Sequence, residues 1–169
     1  MKPSSARFIA RAAIIASIYA VITVLLAPIS YGQLQIRLSE MLTPLAYFDP
    51  AAILGLYAGA IIANFFSPFG IIDILFGSFL TLIAAVLTYL LGRFFKRYKS
   101  EVFRYLGPAI GILPVVLINA FGVAYILNVM IKFPYLLGVF YVGAGEAIAV
   151  YGFGYPFLLI VMKLGIYEV

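Results

Sequence analysis

Residues 8–28 read FIARAAIIASIYAVITVLLAP, and this apolar run decides the class of fold. At about 1.5 Å rise per residue it matches the roughly 30 Å hydrocarbon core of a bilayer. Arg7 and Arg11 flank its start, as in a secretory signal, but the run is long for one and the chain beyond it is equally hydrophobic. We therefore predict a first membrane helix here.

The rest of the chain has the same character. Its 169 residues are 66% hydrophobic and 10% charged, whereas soluble domains are about half apolar and a quarter charged. No polar linker interrupts the apolar blocks, which predicts a single domain over residues 1–169. Cysteine and histidine are absent, which excludes disulfides, thiolate chemistry and histidine-based catalysis or metal binding.

Charge asymmetry decides how many helices cross the membrane. Lysines and arginines crowd the N-terminus and residues 93–104, so both places should face the cytoplasm and an even number of crossings should separate them. Counting the short segment 34–48 as a crossing meets this condition. The predicted helices are 8–28, 34–48, 51–66, 71–92, 106–131 and 135–163. We predict an all-α integral membrane protein with six transmembrane helices and cytoplasmic N and C termini, whose positive charge reflects orientation and not nucleic-acid binding.

The second and third predicted helices are too short for a full span. Asp49 is a typical N-cap and Pro50 a typical first helical residue, so the turn between the two helices should be tight on the cytoplasmic side. The missing length then falls on the outer side. We expect a bowl there that opens to the outside.

Ionisable side chains at membrane depth are costly, at least about 2.5 kcal/mol each, so each one is a candidate site residue. Arg37, Glu40, Asp73 and Glu146 surround the expected bowl, together with Asn64. Each has a second interpretation except Glu146, whose glycine and alanine neighbours leave room for a ligand. Glu40 can pair with Arg37 on one helical face, Asp73 can cap a helix start, and Asn64 can bond a neighbouring helix.

Asn119 and Asn128 share one predicted helix, nine residues apart, which places them on opposite faces. At most one should face the bowl, and the sequence leaves open which. In the first helix, Ala12, Ala16 and Ala20 form a stripe that allows close helix approach, either to a partner or within the protein. Gly55 to Gly59 indicates internal packing.

Linked motifs in the first half of the chain resemble the queuosine-precursor transporter (QueT) family, the substrate-binding S components of energy-coupling factor (ECF) importers. They are APISYG at 27–32, QIR at 35–37 with Ser39 and Glu40, FDPAA at 48–52, IAN at 62–64, SPFG at 67–70, Asp73, and FG at 76–77. The second half resembles the family in order and hydropathy.

The resemblance implies a multi-pass S component of the cell membrane that binds a deazaguanine base from outside. Partners would be a transmembrane coupling subunit, which docks on Ala12, Ala16 and Ala20, and two ATPase subunits. The chain itself would need no cofactor or metal. It contains no phosphate-binding loop of the type GxxxxGK[ST], so ATP would be hydrolysed by the partners.

Such a base suits the polar residues of the bowl. A guanine edge can donate to Glu146 or Glu40, Asp73 can receive a charged aminomethyl group, and Arg37 or an asparagine can donate to the carbonyl. Stacking can come from the aromatic residues near the outer end, which are Tyr31, Phe69 and Tyr141.

Three alternative functions differ from this one in what they require of the sequence. The nearest is an S component for another heterocyclic vitamin or purine, because a fold does not fix its ligand. A membrane-embedded enzyme needs a nucleophile and base or a metal cluster, and we find no such set, so we predict that the protein is not an enzyme. A purely structural subunit leaves the polar bowl unexplained.

Overall fold

The computed structural model describes residues 5–32, 36–98 and 100–164. Within these ranges the chain forms helices and no strand, which confirms the predicted all-α class. The elements are α1 Ser5–Leu25, α2 Ala27–Ser30, a 3-10 helix Leu38–Tyr47, α3 Pro50–Asn64, a first π-helical segment Asp73–Gly77, α4 Ser78–Phe95, α5 Glu101–Gly111, α6 Leu113–Ile131, α7 Tyr135–Ala147, a second π-helical segment Ile148–Gly154 and α8 Tyr155–Lys163.

Four helical stretches among the described residues are long and apolar enough to cross a membrane. They are Ser5–Leu25, Asp73–Phe95, Glu101–Ile131 and Tyr135–Lys163. Large apolar side chains point outward, including Leu25 (75% exposed) and Leu136 (79%). A surface of this kind suits lipid and not water, and it indicates a membrane protein.

The segment predicted as a helix at 34–48 is a 3-10 helix that begins at Leu38, and residue 34 lies outside the described residues. The 3-10 helix is the central element, because it contacts α1, α3, α4 and the second π-helical segment. Pro44 within it has no N–H group to donate. At about 2.0 Å per residue its ten residues extend about 20 Å, some 5 Å more than an α-helix of equal length.

The 3-10 helix runs antiparallel to α1. At one end Arg11 Nε lies 3.4 Å from Asp49 Oδ2, and at the other Thr23 Oγ1 donates to Ser39 Oγ at 2.6 Å. Arg11 and Thr23 are separated by about 18 Å of α-helix, which agrees with the length of the 3-10 helix between its two contacts.

The orientation prediction relies in part on Lys2 and Lys99, and these two lysines lie outside the described residues.

The start of α3 matches its prediction. Asp49 is the N-cap and accepts a hydrogen bond from the Ala51 N–H at 2.9 Å, and Pro50 occupies the first helical position. α3 then packs closely on α1 through two glycines. A Cβ atom at Gly55 would lie 2.6 Å from the Ala12 carbonyl oxygen, and one at Gly59 would lie 2.8 Å from that of Ala16. The predicted internal packing of this glycine pair is confirmed.

Candidate functional site

Glu40 lies in the 3-10 helix and is completely buried among hydroxyl groups. The Tyr19 hydroxyl donates to Oε1 at 2.6 Å and the Thr43 hydroxyl donates to Oε2 at 2.5 Å. Thr81 Oγ1 lies 3.3 Å from Oε1. The contact with Thr43 follows from the 3-10 geometry, which places residues i and i+3 directly above one another. Both oxygens of Glu40 are therefore held by the protein.

Arg37 forms a buried ion pair with Asp73. Its Nη2 lies 3.1 Å from Asp73 Oδ2, and the two side chains are 3% and 1% exposed. Ser67 Oγ donates to the same carboxylate oxygen at 2.6 Å, and the Arg37 guanidinium lies 5.8 Å from the centre of the Tyr31 ring. Arg37 therefore forms its ion pair with Asp73, in a distant segment of the chain, and not with Glu40 on the same helical face.

Asn64, the last residue of α3, connects α3 to the first π-helical segment and to the start of α4. Its Nδ2 donates to the Asp73 carbonyl oxygen at 2.9 Å and to Ser78 Oγ at 3.1 Å. Asp73 is the first residue of the first π-helical segment, and its acidic side chain lies in the first turn. Gly77 leaves room for the Asp73 carboxylate, because a Cβ atom at this position would lie 2.5 Å from Asp73 Oδ1. Asn64 therefore bonds a neighbouring helix through Nδ2, which is the alternative role predicted for it.

Glu146 is the second-last residue of α7, two positions before the second π-helical segment begins, and is 1% exposed. α6 and α7 pack closely, since a Cβ atom at Gly143 of α7 would lie 3.3 Å from the Cβ atom of Ala120 in α6. Asn119, the neighbour of Ala120, consequently lies beside Glu146. The Nδ2 atom of Asn119 nevertheless makes no hydrogen bond of good geometry, and Glu146 Oε2 has no partner. Glu146 is therefore less satisfied than Glu40.

These side chains form one buried group, which we call the polar cluster. Arg37 interacts electrostatically with Asp73, Glu40 and Glu146, and Glu146 interacts with Glu40 and Asn119. The members of the polar cluster are Arg37, Glu40, Asn64, Asp73, Asn119 and Glu146. The expectation of an open bowl is not met, because all six side chains are at most 3% exposed.

Four atoms of the polar cluster are buried without a hydrogen-bond partner. Two are donors, Arg37 Nε and Asn119 Nδ2, and two are acceptors, Asn64 Oδ1 and Glu146 Oε2. A buried polar atom left unpaired costs roughly 1 to 3 kcal/mol, so native proteins rarely keep several together. The arrangement can satisfy a ligand that itself carries both donors and acceptors.

The other predicted site residues are not members of the polar cluster, although Tyr31 lies against one of its members, Arg37. Asn128 Nδ2 donates to the Phe133 carbonyl oxygen at 2.9 Å and so closes the end of α6. Phe69 packs on the apolar cluster of Val123, Leu127 and Val142, and Tyr141 is exposed with its ring 6.2 Å from that of Phe133. Tyr31 donates its hydroxyl to the Ala63 carbonyl oxygen at 2.5 Å.

The alanine stripe of α1 is partly used within the chain. Ala16 and Ala20 are buried, and the Ala16 backbone touches α3 at Gly59. Ala12 is partly exposed, and its neighbours Ala13 and Ser17 are exposed. The exposed small residues of α1, Ala13 and Ser17, therefore each follow a residue of the predicted stripe by one position.

The sequence interpretation missed the hydroxyl residues that surround Glu40 and Asp73. Tyr19, Thr43, Ser67, Ser78 and Thr81 were not among the candidates. A signal was present in α4, whose buried small and hydroxyl residues recur every three or four positions, at Ser78, Thr81, Ala85, Thr88 and Gly92. This spacing marks the helix face that turns to the protein interior.

Comparison with known proteins identifies the family of the chain. A relative named "Queuosine precursor transporter QueT", from Lactococcus lactis subsp. cremoris (strain MG1363), is 38% identical over 105 residues, which cover 61% of this chain and 60% of the relative. No solved structure matches the chain. The family described as "QueT transporter" matches residues 9–163. The chain therefore belongs to the QueT transporter family, a family of transporters and not of enzymes, as the sequence predicted.

Proposed function

We propose that the chain is the substrate-binding membrane subunit, or S component, of an ECF-type importer and that it captures a deazaguanine base from outside the cell. Membership of a transporter family supports a role in transport. The name of the Lactococcus relative supports a queuosine precursor as substrate. The polar cluster supplies the place where such a molecule would bind.

The observation that carries the proposal is the set of four unpartnered buried atoms. A guanine-like base has N–H donors for Glu146 Oε2 and Asn64 Oδ1 and a carbonyl that can accept from Asn119 Nδ2 or Arg37 Nε. One ligand would therefore satisfy donors and acceptors that the protein leaves open. Because the polar cluster is buried, the covering helices must separate before the base can reach it.

We further propose six membrane crossings, with both termini cytoplasmic, in a multi-pass protein of the cell membrane. The 3-10 helix and α3 supply the two crossings beyond the four long apolar stretches. Arg11, Asp49, Phe48 and Lys96 meet at one end of the molecule, with Lys96 Nζ 5.1 Å from the Phe48 ring centre. This end carries the N-terminal and 93–104 cations, which supports its assignment to the cytoplasm.

The proposed partners are a transmembrane coupling subunit and two ATPases. Docking on α1 was predicted from Ala12, Ala16 and Ala20, of which Ala16 and Ala20 face the chain's own interior. We place the contact on the adjoining exposed surface at Ala13 and Ser17, where a partner helix can approach closely.

A ligand panel tests the proposed function. Purified protein in detergent is heated with deazaguanines, purines and vitamins, and the midpoint of unfolding is recorded. We expect deazaguanines to raise it, because a ligand that binds the folded state stabilises it by mass action. A shift with a vitamin or another purine instead would favour the alternative S-component substrate, and no shift with any compound would contradict a binding role.

A further inference from the structure

A cavity lies at the end of the molecule that carries the 93–104 cations. Its volume is about 340 Å³, and it lies between the end of the 3-10 helix, the end of α4 and the start of α5. Arg37 of the polar cluster precedes the 3-10 helix, whereas Tyr47 is the last residue of that helix and lines the cavity. About 20 Å of 3-10 helix therefore separates the cavity from Arg37.

The wall of the cavity is largely aromatic. Phe48, Phe95 and Phe103 line it, together with Met162 of α8. The rings of Phe95 and Phe103 stack with their centres 6.1 Å apart, and the Tyr98 ring centre lies 5.3 Å from that of Phe103. These contacts join α4 to α5 across their connecting turn. The protein itself thus holds the apolar wall in place.

The rim of the same cavity is cationic. Lys96 and Arg104 line it, and both are exposed. Lys96 Nζ lies 5.1 Å from the centre of the Phe48 ring, which places its charge beside the aromatic wall. Glu101 also lines the cavity, 3.8 Å from Arg104 Nη1, but both side chains are more than half exposed, so this ion pair is weak. The cavity therefore combines positive charge with apolar surface.

The residues around the cavity place it at a membrane surface. Phe94, Tyr98 and Tyr105 are each 48% exposed, and the exposed cations Arg93 and Arg97 lie in the same segment. Exposed aromatic residues together with lysine and arginine are typical of the level at which lipid headgroups meet water. A ligand can therefore enter the cavity from the bilayer itself.

We propose that this cavity binds an anionic phospholipid. Lys96 and Arg104 hold its phosphate, because ammonium and guanidinium groups form charge-assisted hydrogen bonds with phosphate oxygens. The glycerol and the upper acyl chain pack on the aromatic wall, which removes apolar surface from water. Inorganic phosphate would leave that wall uncovered, and a zwitterionic lipid would bring a cation of its own to the rim. The site goes beyond the proposed function, since it does not depend on the molecule transported.

Thermal unfolding of delipidated protein in a neutral detergent tests the proposal. We expect phosphatidylglycerol to raise the midpoint of unfolding in a saturable manner, because a ligand of the folded state stabilises it by mass action. Phosphatidylcholine and inorganic phosphate at the same concentrations should leave the midpoint unchanged. An equal rise with either of these, or no rise with phosphatidylglycerol, would overturn the assignment to an anionic lipid.

Matched pairs of substitutions locate the site in the same titration. Lys96→Gln combined with Arg104→Gln removes both rim charges and should weaken phosphatidylglycerol binding by about 30-fold or more, as for the loss of charge-assisted hydrogen bonds. Arg93→Gln combined with Arg97→Gln removes two exposed charges that do not line the cavity and should retain the affinity, because lipid dispersed in neutral detergent forms no extended anionic surface. Equal weakening by both pairs would overturn the site.

Arg104→Gln alone keeps the test decisive if the double variant does not fold. Arg104 is 53% exposed, so its substitution should leave the midpoint without lipid unchanged. Phosphatidylglycerol binding should nevertheless weaken by about 10-fold. Unchanged affinity in this variant would overturn the role of Arg104 in the site.

Discussion

At the scale of single residues, Glu40 and Glu146 show how neighbours give two identical side chains different roles. Hydroxyl groups of Tyr19 and Thr43 occupy the oxygens of Glu40, whereas one oxygen of Glu146 has no partner. Removing Glu40 would therefore disturb the protein's own hydrogen bonds. Removing the charge of Glu146 should affect the ligand first.

Glu146→Gln should weaken binding of a deazaguanine base by roughly 30-fold to several hundred-fold, which corresponds to about 2 to 4 kcal/mol. The amide keeps the size of the side chain but presents donors where the ligand also has donors. The unfolding midpoint without ligand should not fall, because a buried unpaired charge has been removed. The measurement is calorimetric titration, and near-native affinity would make Glu146 a structural residue.

Arg37 and Asp73 should respond unequally to substitution although they form one ion pair. Arg37→Met leaves three buried acids without a cation and should destabilise the fold by roughly 3 to 5 kcal/mol. Asp73→Asn should destabilise it less, because Arg37 still interacts with Glu40 and Glu146. Thermal unfolding in detergent measures both, with the exposed Arg104→Met as control. A larger loss for Asp73→Asn would show that Arg37 is not stabilised by Glu40 and Glu146.

The residues of the polar cluster could be predicted from the sequence better than the contacts they make. All six members of the polar cluster were candidates from the sequence, because polar side chains within apolar segments are conspicuous. The partner of Arg37 could not be foreseen, since it depends on how the segment before the 3-10 helix meets the start of the first π-helical segment. Spacing along one helix carries no information about such a contact.

At the scale of elements, the departures from α-helical geometry position the cluster. The 3-10 helix places Thr43 above Glu40, Asp73 begins the first π-helical segment, and Glu146 lies two residues before the start of the second. Apolar periodicity predicted helices in all three places but not their type. Segments that are buried on several sides have no polar face from which a period of 3.0, 3.6 or more residues can be read.

α1 provides a second element-scale test, because its two faces have different neighbours. Ala13→Trp projects from the exposed face and should abolish ATP-driven uptake while isolated protein still binds substrate. Ala16→Trp, the matched control, projects toward Gly59 of α3 and should destabilise the protein itself. Uptake by membrane vesicles and binding by purified protein are compared. Normal uptake by Ala13→Trp would remove this face from the docking surface.

At the scale of the whole molecule, the fold combines an interior of apolar and polar residues with a largely apolar outer surface. Hydroxyl, amide and charged side chains collect in the interior around the 3-10 helix, and large apolar residues such as Phe65 and Phe140 cover the outside. The helical class and the apolar stretches could be predicted because lipid exposure requires an apolar composition. The closed state of the cluster could not, since it depends on how the helix ends pack together.

The six-crossing topology has its own test. A reporter inserted within residues 93–104 should indicate the cytoplasm, and one at Lys132 should indicate the outside, because a single crossing by α5 and α6 separates them. A reporter after Asp49 should agree with the first of these. Matching signals at 93–104 and Lys132 would contradict the proposed arrangement.

We propose that this chain alone holds the binding site and leaves energy coupling to its partners. Equilibrium dialysis of the purified chain with a labelled aminomethyl-deazaguanine tests it most directly, without ATP or any other subunit. We predict saturable binding that approaches one ligand per chain, that is weakened by about 30-fold or more in Glu146→Gln and that is retained in Ala13→Trp. The absence of saturable binding to folded wild-type protein would contradict the account.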